Sequence, residues 1–328
     1  MQFRKTDRSN DNARLKAWKD KDYMTCVVSK HDADSLAVGP HSNTRGSTEF
    51  AGSAGLVVSE ILPNDAEGLV AKLSPESLTN VIMAGLISDN GLASPLNRGC
   101  FYGCYNHEGK LEGIALIGHT VLFDAFSPEA IQAFATYARA SSPHLLMGES
   151  KSVRQFWNHY KQPECSPRHL CPIRFLQAFG PFPCVEPAPA LRLATPDDLE
   201  LLVLAQAEMS LNTSGVDPTK KDPAGFRERY LRRITHGRVW VLIANGKLIF
   251  KADVLAETKH ATYLEGVYVS PEHRRLGVGS RCVNELGSIL LRRSRAIYLF
   301  VENQHPTTQT FYEKLGFVVA GQYDLLYF

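Results

Sequence analysis

The hydrophobic positions between residues 263 and 291 change their period within a short stretch. Residues 264–269 form an apolar, β-branched and aromatic run, which predicts a buried strand. Pro271 ends this strand because proline has no N–H to donate to a neighbouring strand. From residue 280 onward the apolar residues follow helical spacing, at Val283, Leu286, Ile289 and Leu290. The pattern therefore predicts a strand, a turn and the start of a helix.

The turn carries two glycines, Gly277 and Gly279, directly after Arg274 and Arg275. At such a corner the main-chain N–H groups and the positive end of the helix dipole point to one place. Glycine lets a ligand approach the backbone, and arginine suits phosphate. A nucleotide-binding Walker A loop needs a following Lys-Ser/Thr, and a dinucleotide fingerprint needs glycine where Cys282 stands. We therefore expect a diphosphate of a different cofactor here.

A similar order of elements occurs twice along the chain. In the second half, a strand at 191–193 precedes a helix start at 195–198, and Asn245-Gly246 predicts a tight hairpin. In the first half, a strand at 56–58 is followed by a helical segment at 63–73. A second helix is predicted to start at Ser74-Pro75-Glu76, followed by a hairpin over 100–117 and a helix capped by Ser127.

Two landmarks support a duplicated module. Leu56 aligns with Leu191, and Gly109 aligns with Gly246, at offsets of 135 and 137 residues. The copies differ at the glycine turn, because the first copy has Asp124-Ala-Phe126 there, with neither glycine nor arginine.

The motif Arg-x-x-Gly-x-Gly at 274–279, after a strand ending V-x-V-x-P, resembles the acetyl-CoA pyrophosphate loop of the GNAT superfamily of N-acetyltransferases. The buried strand at 296–301, Asn303, and the segment 310–317 resemble the closing motif of that family. The resemblance covers 191–328 by motif and 56–180 by element order alone. The layout is similar to a tandem GNAT architecture and to a bacterial group with an uncharacterised N-terminal domain before a GNAT domain.

This resemblance implies an α+β (mixed αβ) fold of two GNAT-like modules, each a central mixed, mostly antiparallel sheet flanked by helices. We expect a mobile N-terminal extension over 1–52, because that polar stretch lacks a sustained period. The other expected segments are a degenerate GNAT-like domain without cofactor loop over 53–180, a Pro-rich linker over 181–190 and a GNAT acetyltransferase domain over 191–328.

The resemblance also assigns site residues. Cofactor contacts with acetyl-CoA, as co-substrate, fall on Val267, Tyr268, Val269, Arg274, Arg275, Leu276, Gly277, Val278, Gly279, Ser280, Asn303, Phe311 and Lys314. Tyr312 occupies the general-acid position, where a phenol could protonate the leaving thiolate. A tyrosine packed between Phe311 and Phe317 is the alternative interpretation.

Glu265 is the candidate general base, because a carboxylate in an apolar strand is costly without a task or a partner. Alternation along a strand places it on one face with Tyr263, Val267 and Val269. A salt bridge to a neighbouring strand residue such as Lys251 explains it equally well, and water can relay the proton instead.

The acceptor pocket implied by the resemblance involves the first helices of the second half. The candidate contacts there are Glu208 and Asn212, which a solvated helix end explains just as well. Asp253, on the strand adjacent to Glu265, is a further candidate contact and the second candidate for the general base.

Composition excludes several classes of protein. The 36 basic and 34 acidic residues give a net charge of +2, so neither nucleic acid nor a membrane is an expected partner. No apolar run spans a bilayer, and no secretory signal begins the chain. Seven scattered cysteines predict free thiols in a cytoplasmic protein. Cys165, His169 and Cys171 lack a further ligand pair, so we expect no metal.

The leading hypothesis is an N-acetyltransferase that transfers an acetyl group from acetyl-CoA to a primary amine by direct attack in a ternary complex. The amine belongs to a small-molecule or peptide acceptor. The alternative is a non-catalytic acyl-CoA-binding or regulatory module with a partner-binding N-terminal half. The sequence carries no signal for the oligomeric state, and a homodimer is compatible with it.

Overall fold

The computed structural model describes residues 50–51, 55–63, 66–162, 166–183 and 190–328. They form one 13-stranded sheet with helices packed on it. The strands are β1 (Phe50–Ala51), β2 (Val57–Glu60), β3 (Gly99–Tyr105), β4 (Leu111–Gly118), β5 (Thr120–Ala125), β6 (Leu145–Glu149), β7 (His169–Ala178), β8 (Arg192–Leu193), β9 (Val239–Ala244), β10 (Lys247–Glu257), β11 (Ala261–Val269), β12 (Ala296–Glu302) and β13 (Val318–Tyr327). The α-helices are α1 (Ala66–Lys72), α2 (Leu78–Asn90), α3 (Pro128–Ala138), α4 (Ser150–Tyr160), α5 (Leu199–Ser214), α6 (Pro218–Lys221), α7 (Pro223–Thr235), α8 (Val278–Leu290) and α9 (Pro306–Lys314).

The sheet is mixed and mostly antiparallel. Its order is β1-β2-β3-β4-β5-β6-β13-β7-β12-β11-β10-β9-β8. Only the pairs β5–β6 and β11–β12 are parallel among the described strands. The two halves of the sheet follow the same strand order. From each outer edge toward the middle, this order is β2 to β6 in one half and β8 to β12 in the other. The predicted α+β fold class is therefore confirmed.

The last strand of each half pairs with the other half. β7 pairs with β12, β13 pairs with β6, and β7 and β13 pair with each other. The sequence predicted two separate sheets, because alternation indicates which residues are buried and not which strand is the neighbour. The exchange joins the two halves into one sheet.

Helix α2 of the first half packs against β10 and β11 of the second half, and it is buried on most of its surface. Gly85 allows this close approach, because a Cβ built there lies 2.6 Å from the Cβ of Ala256. Arg238 Nη2 also lies 2.7 Å from Asp89 Oδ1 at the end of the helix. The first half thus covers part of the second half's sheet.

The predicted helix start at Ser74-Pro75-Glu76 is wrong, because α2 begins at Leu78 after Ser77. Contacts with the second half hold this segment outside the helix. The Tyr298 hydroxyl donates to the Pro75 carbonyl at 3.0 Å, and the Leu78 N–H donates to the Tyr323 hydroxyl at 3.4 Å. Tertiary partners have replaced the local cap that the sequence suggested.

Other local signals act as predicted. The Ser127 side chain accepts from the Ala130 N–H at the start of α3. Thr195 and Asp198 form a capping box before α5. Asn245 and Gly246 adopt positive φ angles of 50° and 70° in the β9–β10 hairpin.

Two predicted segments lie largely outside the described residues. Of the extension 1–52, only Phe50–Ala51 is described, and it pairs with β2 as a short strand. Of the linker 181–190, residues 184–189 lie outside the described residues. Phe182 packs on the core of the second half, and the centroid of its ring is 5.8 Å from that of Phe317. Within the described ranges, no helix combines the length and apolar character needed to cross a membrane.

Candidate active site

The loop between β11 and α8 forms a corner with an open helix N-terminus. Arg275 and Gly277 have positive φ angles of 61° and 77°, which turn the chain into the helix at Val278. The N-cap residue is Gly277, and no side chain caps the helix. The first N–H groups of α8 therefore remain available to an anion at the positive end of the helix dipole.

A cleft of about 640 Å³ opens at this corner. One wall of the cleft consists of strand and loop residues and the other of α9. The cleft is lined by eight of the predicted cofactor contacts: Val269, Arg274, Arg275, Gly277, Gly279, Ser280, Phe311 and Lys314. Leu276 is exposed beside the cleft, whereas Val278 and Val267 belong to the apolar core behind it. Gly279 is buried in the first turn of α8. Gly279 thus lies in the wall of the cleft without a side chain.

Parallel strands β11 and β12 separate along their length. Their pairing covers Ala261, Thr262 and Tyr263, and within the described strands no further pair follows. The main chain of 264–269 therefore faces β12 without a ladder, which leaves a wedge beside the corner. A strand edge that has no ladder to its neighbour is a place where an extended ligand can pair with the main chain.

Asn303 lies at the wide end of this wedge, directly after β12. Its Nδ2 is 3.5 Å from Gln322 Oε1. Its Oδ1 is buried and has no hydrogen-bond partner among the described residues. Buried polar atoms are normally paired, so this oxygen is an acceptor that the described residues leave unsatisfied.

Tyr312 is 1% exposed on α9. Its ring centroid is 5.0 Å from that of Phe311 and 5.4 Å from that of Phe317. Tyr312 is therefore packed between Phe311 and Phe317, as the alternative interpretation of this residue expects. Its role as general acid stays a prediction.

Glu265 does not share a strand face with Val267 and Val269, so that part of the prediction is wrong. Gly266, with φ of 59°, forms a bulge at which β11 has one residue more than β10. The extra residue reverses the alternation. Val267 and Val269 accordingly pack with α8, whereas Tyr263 belongs to the core around α2.

Four polar residues surround Glu265, and the five side chains pair with one another. Arg233 Nη1 lies 2.9 Å from Glu265 Oε1 and 3.4 Å from Asp253 Oδ2. Asp253 also accepts from Lys251 Nζ at 3.0 Å and from the Tyr230 hydroxyl at 3.0 Å. The partner of Glu265 is therefore Arg233, and Lys251 pairs with Asp253 instead. We call Tyr230, Arg233, Lys251, Asp253 and Glu265 the ion cluster.

Burial and charge act on the titration of this cluster. Burial lowers the pKa of Lys251, and the charge of Asp253 only partly opposes it. Burial also acts against the charged form of Arg233, but Glu265 and Asp253 outweigh it and raise its pKa. Burial and the nearby Asp253 charge raise the pKa of Tyr230. The sequence reasoning missed Arg233, although its place one turn from the buried Tyr230 on an amphipathic helix was a usable signal.

The predicted acceptor residues do not converge. Glu208 is exposed on the outer face of α5, and Asn212 is half-buried near the end of that helix. Asp253 is 0% exposed and belongs to the ion cluster.

Metal ligands do not cluster either. Among the described residues, no three or more His, Cys, Asp or Glu side chains are placed to hold a metal ion. Cys165 lies outside those residues. The described cysteines, Cys100, Cys104, Cys171 and Cys282, are free thiols.

The corresponding helix start in the first half is capped. The Ser127 side chain occupies the N-terminus of α3. Gln155 on α4 donates to the Pro128 carbonyl at 3.3 Å, and the rings of Phe123 and Phe156 stack with centroids 5.4 Å apart. The parallel strands β5 and β6 also pair over two positions only, so among the described residues the two halves differ in the cap at the helix start, and the uncapped corner with two arginines lies in the second half.

Comparison with known proteins agrees. Residues 235–319, roughly a quarter of the chain, match the family described as the acetyltransferase (GNAT) domain, so the chain contains a GNAT domain. No protein in the curated comparison set matches the chain.

Solved structures resemble the whole fold. A GNAT-family acetyltransferase from Colwellia psychrerythraea is 14% identical, with 83% of this chain and 99% of that one covered and a TM-score of 0.53. A tandem GNAT protein from the clavulanic acid biosynthesis pathway is 15% identical, with coverages of 83% and 97% and a TM-score of 0.50. A Drosophila protein is 9% identical, with coverages of 86% and 99% and a TM-score of 0.59. At these identities the similarity shows the fold alone.

Proposed function

We propose that the second half of the chain is an N-acetyltransferase that transfers an acetyl group from acetyl-CoA to a primary amine by direct attack in a ternary complex. The observation that carries this proposal is the uncapped α8 corner, lined by Arg274 and Arg275 and continuous with the wedge between β11 and β12. Main-chain N–H groups of 275–280 hold the diphosphate of acetyl-CoA. The wedge receives the pantetheine arm, with Asn303 Oδ1 accepting from one of its amides.

The chemistry requires one new C–N bond and loss of one C–S bond. Glu265, directly or through one water molecule, accepts the proton that the ammonium group must lose before attack. The Tyr312 hydroxyl gives a proton to the departing thiolate, and the second proton that the nitrogen releases as the amide forms restores this hydroxyl. Holding both reactants in the wedge supplies most of the rate gain, since orientation is worth about 7–11 kcal/mol. The acceptor is an amine of a small molecule or a peptide.

A non-catalytic acyl-CoA-binding module is the second candidate. The observation that favours it is the ion pair between Arg233 and Glu265, because a carboxylate bound to a guanidinium is a weaker base. The first half would then serve as the partner-binding part.

Thiol release separates the two candidates. The chain is incubated with acetyl-CoA and a panel of amino acids, polyamines and peptides, and free thiol is measured. Amine-dependent release supports the enzyme. Tight acetyl-CoA binding by calorimetry without release for any amine supports the second candidate, and absence of binding contradicts both.

A further inference from the structure

The ion cluster contains more charge than a structural core requires. Tyr230, Lys251 and Asp253 are 0% exposed and Glu265 is 3% exposed, while the Arg233 side chain is 15% exposed. Its formal charges balance, with two cations and two carboxylates. Replacing buried ion pairs with apolar residues of similar volume is often neutral or stabilising. The cluster therefore calls for an explanation other than stability.

The cluster lies directly behind the bulge in β11. A Cβ built on Gly266 falls 2.8 Å from Lys251 Nζ and 3.1 Å from Asp253 Oδ2. Only glycine fits this position, because the two side chains occupy the space and because φ is positive. The bulge separates Glu265 on one face from Val267 on the other. The cluster thus contacts the strand where it changes direction.

This part of β11 has a neighbouring strand on one side only. Residues 264–269 pair with β10 through four residue pairs, interrupted at Gly266 and Val267, and the ladder to β12 ends at Tyr263. Side chains of α7, β10 and β11 therefore contact one another at the stretch of β11 that has no ladder to β12. Arg233 makes the link, since it contacts a carboxylate on each of the two strands.

We propose that Arg233, itself held by Asp253, is a positioning residue that fixes the Glu265 carboxylate and the bulge at Gly266 so that the main chain of 267–269 faces the wedge. This inference rests on the proposed function. Tyr230 and Lys251 act one step further away, by fixing both oxygens of Asp253.

Loss of the Arg233 guanidinium has a defined electrostatic consequence. Asp253 and Glu265 are cross-strand partners, so two carboxylates would face each other, with Lys251 and Tyr230 held against Asp253. Two neighbouring carboxylates do not both ionise readily, and one takes up a proton. The acid limb of the rate profile, which follows the protonation of the base, then moves to higher pH.

The test compares Arg233→Met, Arg233→Lys and the helix control Arg227→Met, whose arginine pairs with Glu200 on the surface. We expect Arg233→Met to move the acid limb of kcat/KM upward by about one pH unit or more. The acetyl-CoA affinity falls but is not lost, because the pantetheine arm meets a less ordered 267–269 segment whereas the diphosphate contacts are unchanged. Arg233→Lys partly restores the limb, and Arg227→Met matches the wild type. A lower melting temperature with an unmoved limb overturns the proposal.

A comparison of two other variants covers the case in which Arg233→Met does not fold. Arg233→Met combined with Glu265→Gln removes one cation and one carboxylate, so no unpaired charge is buried at that contact. If Arg233 acts on the acid limb through Glu265, the combined variant has the same acid limb as Glu265→Gln alone. An acid limb that differs between these two variants overturns the proposal.

Amide hydrogen exchange of 267–269 gives a readout that does not need activity. We expect faster exchange in the combined variant than in Glu265→Gln, and equal exchange overturns the inference. A wild-type chain that releases no thiol with any amine contradicts the proposed function instead, and the exchange measurement still decides the positioning role.

Discussion

Replacing Gly277 by glutamate perturbs the corner without crowding it. Gly277 has φ of 77° and no atom within 4 Å of a built Cβ. The new side chain has room, and its folding cost is the left-handed backbone, roughly 1–2 kcal/mol. Gly246 offers a matched control, with φ of 70° and the same open surroundings, in the hairpin away from the cleft. Both variants therefore carry a similar strain.

The two variants differ in the charge placed beside the ligand. A carboxylate at about 4 Å from one phosphate charge costs about 1 kcal/mol in water and about 4 kcal/mol at the effective dielectric of a protein surface. The dissociation constant of acetyl-CoA should therefore rise between about fivefold and a thousandfold for Gly277→Glu. Gly246→Glu should leave it unchanged.

Calorimetric titration with acetyl-CoA measures the affinity, and thermal unfolding measures the shared strain. Both variants should lose a few degrees, roughly 2–8 °C, of melting temperature. If Gly277→Glu binds acetyl-CoA as tightly as Gly246→Glu, the diphosphate does not lie at this corner and the reasoning is refuted.

Three further predictions concern stability and reactivity. Gln206 is 2% exposed and its Oε1 has no partner among the described residues, so Gln206→Leu should raise the free energy of unfolding by about 1 kcal/mol; a urea titration that shows a loss contradicts this. Asp198 forms a bidentate pair with Arg192 and closes the capping box. The hydrogen bond from Arg192 outweighs the burial of the Asp198 carboxyl and lowers its pKa. Its contribution, about 1 kcal/mol as a cap, is thus complete above the unfolded carboxyl pKa of about 3.9 and is lost as the pH falls through the lower folded value. The stability gap between wild type and Asp198→Asn should close in acid, and a gap that stays constant from pH 7 to pH 2 contradicts this. Burial raises the pKa of the Cys282 thiol to about 12, so iodoacetamide at pH 8 should modify it only after unfolding, as peptide mass mapping can check.

Local signals in the sequence predicted local structure well. The corner at 274–279 depends on two glycines and a proline close in the chain. The Asn245-Gly246 hairpin and the Ser127 cap likewise depend on neighbours within a few residues. These features need no knowledge of distant partners, so they could be predicted from the sequence.

Features that depend on distant partners were not predicted. The exchange of β7 and β13 is a choice of neighbour, and alternation does not encode it. The pair between Arg233 and Glu265 joins a helix to a strand 32 positions away. The bulge did leave a signal, since Gly266 interrupts an otherwise apolar strand and isolated strand glycines often mark bulges. A bulge at that glycine places Glu265 and Val267 on opposite faces of the strand.

A crystal structure of the full chain with acetyl-CoA tests the central claim most directly. The account predicts the diphosphate oxygens at about 2.7–3.2 Å from main-chain nitrogens of 275–280, with the pantetheine arm lying between β11 and the end of β12. Acetyl-CoA bound in the first half, or anywhere that leaves those nitrogens without a phosphate, would contradict it.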